Sequence, residues 1–129
     1  MFDHEKLRVY QYSLDFTEWV GILLNEISQK ISVCEHLDEA STSIPLNIAE
    51  GNGKFTSKDR CKYFDIARGS ALECASSLDV LVRRRKVEQT RVIDGKQLLS
   101  NIVSMLVGLI KSNSDRTFEP DIEYGTNNS

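Results

Sequence analysis

Cysteine is scarce in this sequence and poorly spaced for its structural uses. Cys34, Cys61 and Cys74 are odd in number and form no Cys-x-x-Cys pair, which excludes a disulfide framework or a zinc ribbon. Such usage points to a reducing, cytoplasmic setting. Histidine is scarcer still, and neither His4 nor His36 stands three residues after an acid, as the ligand pairs of a di-iron bundle do. Cys34 and His36 are neighbours without a third residue to orient them as nucleophile and base. Gly51-Asn52-Gly53-Lys54 has the residues of a phosphate loop, but neither its spacing nor a preceding strand. The chain is read as non-enzymatic, with no catalytic residue, metal or cofactor.

Helix breakers are few as well: two prolines and seven glycines in 129 residues, so the body reads as almost entirely helical and about one domain long. No apolar run reaches the roughly 18 residues of a membrane span. Met1-Phe2-Asp3-His4-Glu5 does not resemble a signal peptide. No membrane partner is expected.

What the sequence does have is helical period. Val9, Tyr12, Phe16, Val20, Leu23 and Ile27 recur at three- and four-residue intervals, predicting a first helix from about Asp3 to Lys30 whose apolar stripe Trp19, Leu24 and Ile31 widen. Gly21 inside it is expected to mark a close neighbour. A second helix, about Glu35 to Glu50, carries Leu37, Ala40, Ile44 and Ile48 and ends at Gly51-Asn52-Gly53, where glycine's tolerance of the left-handed conformation would close it. Thr56 or Ser57 caps a third, with Phe64, Ala67, Ala71, Cys74, Leu78 and Leu81 on its seam. Gly69, Ser70, Ala75, Ser76 and Ser77 make this helix slender, so the second can approach it closely. Thr90 or Asp94 opens a fourth, so broadly apolar from Val92 to Ile110 that a subunit interface is expected on its outer side. The fold class is therefore all-α: an antiparallel up-down-up-down four-helix bundle over residues 1–112. Residues 113–129 lose the period and read as a flexible acidic polar tail.

Pro45 stands in the middle of the second helix, where it removes a hydrogen bond and presses on the carbonyl of Ser41, at about 3 kcal/mol. A kink, with hydroxyls of Ser41, Thr42 or Ser43 bonding freed carbonyls, would offset that. The same helix brings Asn47 and Glu50 beside its apolar seam. A polar group left unpaired there costs about 1 to 3 kcal/mol, so partners are expected among Arg68, Ser70 and Glu73.

The formal charge is −3, distributed unevenly. Residues 3–50 hold nine acids and three bases, residues 54–68 five bases and two acids, and residues 83–96 six bases and two acids. A basic face could draw on Lys54, Lys58, Arg60, Lys62, the run Arg83-Arg84-Arg85-Lys86, and Arg91. Cations ending a helix also complement its dipole.

Two stretches carry a family resemblance: Ser43-Ile44-Pro45-Leu46-Asn47-Ile48-Ala49-Glu50-Gly51-Asn52-Gly53-Lys54, and Phe64-Asp65-Ile66-Ala67-Arg68-Gly69-Ser70-Ala71-Leu72-Glu73. With four helices in order, the chain from about residue 5 to 112 resembles the four-helix-bundle proteins encoded in intervening sequences of bacterial 23S ribosomal RNA. That resemblance implies a closed, typically pentameric ring without catalytic activity. It also implies kinship with the accessory variability determinant of diversity-generating retroelements, a basic bundle that binds nucleic acid and a reverse transcriptase. Asn47, Glu50, Gly51, Ser70 and Glu73, with Arg68, would form the motif's polar centre, and Lys54 stands where the family often has arginine. This chain departs from its relatives in being acidic. The function expected is a ring-forming accessory that binds RNA or DNA or serves as a scaffold; the alternative is a self-assembling protein-interaction module.

Overall fold

A computed structural model describes residues 1–118. A short 3-10 turn, Asp3–Lys6, precedes four helices: α1 (Arg8–Glu26), α2 (Ser32–Asn52), α3 (Ser57–Arg83) and α4 (Ile93–Phe118), the last entered through a second 3-10 turn, Gln89–Val92. α2 packs on α3 most extensively, α3 on α4, and α1 on both α2 and α4. Partners run in opposite senses: Ser43 meets Ser70 and Gly51 meets Phe64 across α2 and α3, while Arg60 meets Asn113 and Asp79 meets Lys96 across α3 and α4. Each connection is short, so consecutive helices lie side by side.

The core follows the periodic positions. Phe16, Val20, Leu23, Ile27, Leu37, Ile44, Ile48, Phe64, Ala67, Ala71, Cys74, Leu78 and Leu81 are all buried, joined from α4 by Leu99, Ile102 and Leu106. On α1 the buried position beside Val9 is Ser13, not the expected Tyr12, which is half-buried. The Ser13 hydroxyl donates to the Tyr10 carbonyl at 2.6 Å, so the burial leaves no orphan.

Several boundaries differ from expectation for physical reasons. α1 starts at Arg8 because Leu7 is extended, and it ends at Glu26, four residues short of Lys30. Gly21 has nothing within 4 Å of where a Cβ would stand, so it marks no close neighbour among the described residues. α2 starts at Ser32 and continues to Asn52, and Gly53 stays right-handed, with φ −86°. No glycine among the described residues adopts positive φ; Gly51 is required instead for close approach, as shown below. Thr56 does cap α3, accepting from the Asp59 N–H at 3.1 Å.

The fourth helix outruns its predicted end. It continues past residue 112, and Asn113 is buried, with its amide donating to the Leu109 carbonyl at 2.8 Å and accepting from Arg60. Polarity at position 113 therefore reflects an internal partner, and α4 continues to Phe118; residues 119–129 of the expected tail lie outside the described residues. By length and averaged composition, Gln89–Ser114 also matches a membrane span. The averaging tolerates the serines, asparagine and glycine that interrupt any strict apolar run. Val92, Leu99, Ile102 and Leu106 of that stretch close the fourth wall of the core.

Candidate nucleic-acid interface

The polar centre forms where α2 crosses α3. The Ser43 and Ser70 hydroxyls meet at 2.8 Å, and the Asn47 amide donates to the Ser43 carbonyl and hydroxyl, each at 2.9 Å. Small residues on α3 permit this approach. At Gly51, an added Cβ would stand 3.0 Å from the Phe64 ring and from Tyr63 Cβ. Pro45 is buried within the same helix. Upstream, the Ser41 and Thr42 hydroxyls both donate to the Asp38 carbonyl, at 2.8 and 3.0 Å. The third hydroxyl, Ser43, turns to Ser70 instead of to a carbonyl freed by the proline.

The acids of the motif are not part of this crossing. Glu50 is half-exposed and accepts from Lys54 one turn on, at 3.2 Å, which corrects the expectation that it reaches Arg68, Ser70 or Glu73. That bond raises the Lys54 pKa, with Tyr63 adding to it. Arg68 holds Asp65 on its own helix at 2.9 Å, while Glu73 lies 3.9 Å from exposed His36. The spacing that put Glu50 near the seam could not fix the helix rotation, which turns it outward.

The nine candidate cations fall into two groups at opposite ends of the bundle, so one chain does not gather them on a single face. At the end where α2 turns into α3, Arg60 is consumed internally. Its guanidinium donates to the Asn52 carbonyl at 2.6 Å, to Asn113 Oδ1 at 3.0 Å and to the Lys54 carbonyl at 3.4 Å. Lys54 and Lys62 lie over the Tyr63 ring at 5.0 and 5.8 Å, and Lys58 is exposed.

At the other end, Arg91 is also structural. It grips Glu26 with two bonds of 2.8 and 2.9 Å and lies 5.4 Å over the Trp19 ring. The pair lowers the Glu26 pKa and raises that of Arg91. Arg83, Arg84 and Arg85 remain exposed, with Lys86 partly covered, and none of the four has an ion pair among the described residues.

The backbone of that run is distinctive. Arg85 has φ 60°, the one positive φ among the described residues. Its N–H bonds the Val82 carbonyl at 3.0 Å, and that of Lys86 reaches back to Leu81 at 2.9 Å. This double bond pattern closes a helix around a left-handed residue, a position that glycine occupies at least cost. An arginine there costs about 1 kcal/mol.

Sequence reasoning gave the Ser43 hydroxyl a freed carbonyl instead of Ser70, and missed Asn113 and the Trp19–Gly95 contact. Asn113 kept the spacing of Leu99, Ile102 and Leu106, a signal that the helix continues. Trp19 and Gly95 gave none, because they meet only after α1 and α4 have docked. Cys34 and Cys74 are buried core fillers, and burial pushes the Cys74 thiol up to about 12, with the Glu73 carboxylate adding to the shift. Among the described residues no cluster of His, Cys, Asp and Glu could hold a metal ion.

Comparison with known proteins gives two findings. The family model described as "23S rRNA-intervening sequence protein" matches residues 5–108. The crystal structure of a protein of unknown function from the S23 ribosomal protein family of Bacteroides thetaiotaomicron is similar, with TM-score 0.76 and 22% identity, covering 80% of this chain and 98% of that one. At that identity the likeness carries the fold. No curated protein matches the chain.

Proposed function

Because the chain belongs to the 23S rRNA-intervening sequence protein family, we propose that it is a non-enzymatic, ring-forming bundle that binds structured nucleic acid as an accessory or scaffolding factor. The observation that carries this reading is the run Arg83-Arg84-Arg85, which has no ion pair among the described residues and ends a helix with Arg85 in the left-handed conformation that favours glycine. Cations that are free of intramolecular partners can neutralise phosphates and release their counterions. Around a ring, the run would be repeated in every subunit, so that weak contacts add through effective concentration.

The test is binding of a folded RNA hairpin across a salt series. The parent chain binds at low salt and weakens steeply as salt rises. R83Q/R84Q/R85Q binds more weakly with a shallower slope, while its melting temperature does not fall. Unchanged affinity in that variant sinks the assignment of the cluster.

A second reading, self-assembly without nucleic acid, is favoured by the apolar groove of about 280 Å³ between α3 and α4. Ala71, Leu72, Ala75, Leu99 and Val103 line it, with Lys96 and Ser100 at its edge. An assembly that dissociates at high salt, from a chain that binds no RNA or DNA at low salt, would establish this reading in place of the first.

A further inference from the structure

We infer that the α2–α3 turn carries a stacking site for an unpaired nucleobase, with Phe55 as the platform and Lys58 and Lys62 as the cations for the adjoining phosphates. The inference rests on the nucleic-acid reading above and adds the place and the kind of strand. Phe55 is fully exposed, with a relative exposure of 102%. It is not a floppy residue in an unformed loop, because both neighbours are anchored. The Lys54 carbonyl accepts from Arg60, whose guanidinium is itself fixed by Asn113 and the Asn52 carbonyl, and the Lys54 N–H donates to Gly51 at 3.2 Å. Thr56 is fixed by its cap to Asp59.

The turn therefore presents one aromatic ring to solvent on an immobilised backbone. A base can stack on such a ring without first having to order it.

The surroundings select the ligand. In sequence Phe55 lies between Lys54 and Thr56, with Lys58 the second residue of α3 and Lys62 a turn beyond. Of the nearby acids, Glu50 is neutralised by Lys54 and Asp65 by Arg68, while exposed Asp59, in the first turn of α3, has no ion pair among the described residues and stands beside Lys58. At the centre of a protein interface lysine is depleted, so the lysines that follow this ring do not favour a protein partner. An aromatic ring among cations is the arrangement by which single strands are held without sequence preference. Duplex bases stay stacked on one another and cannot use it.

The experiment is fluorescence anisotropy of the full chain at low salt with two probes, a short uridine oligomer and a blunt RNA duplex. Phe55→Ala should weaken the single strand about tenfold and leave the duplex unchanged. Phe55→Trp should keep single-strand affinity, and its added indole emission should be quenched by the oligomer while that of the parent's Trp19 is not. Equal affinity of Phe55→Ala and the parent for the uridine oligomer overturns the inference and leaves the broader reading standing. So does a changed assembly state of Phe55→Ala in sedimentation, since Phe55 would then be a subunit contact. A parent chain that binds neither probe overturns both.

Discussion

The α2–α3 and α1–α4 crossings both bring two helices close through a glycine, but by different means. Between α2 and α3, Gly51 lets α2 receive Phe64 of the slender α3, and the polar groups present satisfy one another as Ser43, Ser70 and Asn47. Between α1 and α4, the edge of a bulky indole sits on the bare backbone of Gly95, with Phe16 stacked 5.7 Å away and Arg91 over the same ring, itself held by Glu26. The first crossing tolerates adjustment because many small contacts share the load. The second concentrates its fit on one ring.

The sharpest way to break that comparison is Gly95→Ala. Its methyl would stand 2.3 Å from the Trp19 ring, and overpacking of this kind costs about 3 kcal/mol. Denaturant unfolding should show the loss, and a stability equal to the parent's would mean that the indole moves aside freely.

Gly51→Ala should cost less, about 1 to 2 kcal/mol, because the clash at 3.0 Å is partly offset by alanine's better helix propensity. Ser70→Ala follows at about 1 kcal/mol, the worth of one partly buried hydrogen bond, since Asn47 still satisfies Ser43.

The ion pair of the α1–α4 crossing is tested by pH. Arg91 holds the Glu26 carboxyl below its ordinary value of 4.5, so the pair stabilises above that pH and the contribution disappears as pH falls through the lowered value. Glu26→Gln should thus be less stable than the parent near neutrality and indistinguishable from it in acid. A gap that persists at low pH would assign the loss to packing instead. The smallest effect belongs to Glu50→Ala, under about 0.5 kcal/mol, because a single exposed pair with Lys54 is all that is lost. A loss well above that would mean Glu50 has a partner beyond Lys54.

The difference between the crossings also explains what could be read in advance. Burial repeats with the helix turn, so Phe16, Val20 and Leu23, and the thin middle of α3, are visible as spacing. The approach of α2 to α3 follows from small residues that lie together in sequence. Trp19 and Gly95 are far apart in the chain and lack a shared period; their contact depends on how two helices rotate as they dock. The same rotation decides that Glu50 faces water and that Arg60 and Arg91 are spent on internal partners. Arg83, Arg84 and Arg85 could be read as a cluster, but their freedom could not, because it depends on which acids the other helices bring near.

α3 runs for 27 residues between the turn that carries Phe55 and the arginines that follow Leu81, a length of about 40 Å at the usual helical rise. It acts as a gauge. A nucleic acid held at both ends of one subunit would have to extend over slightly more than one turn of duplex, so a much shorter fragment could engage one tip or the other and never both.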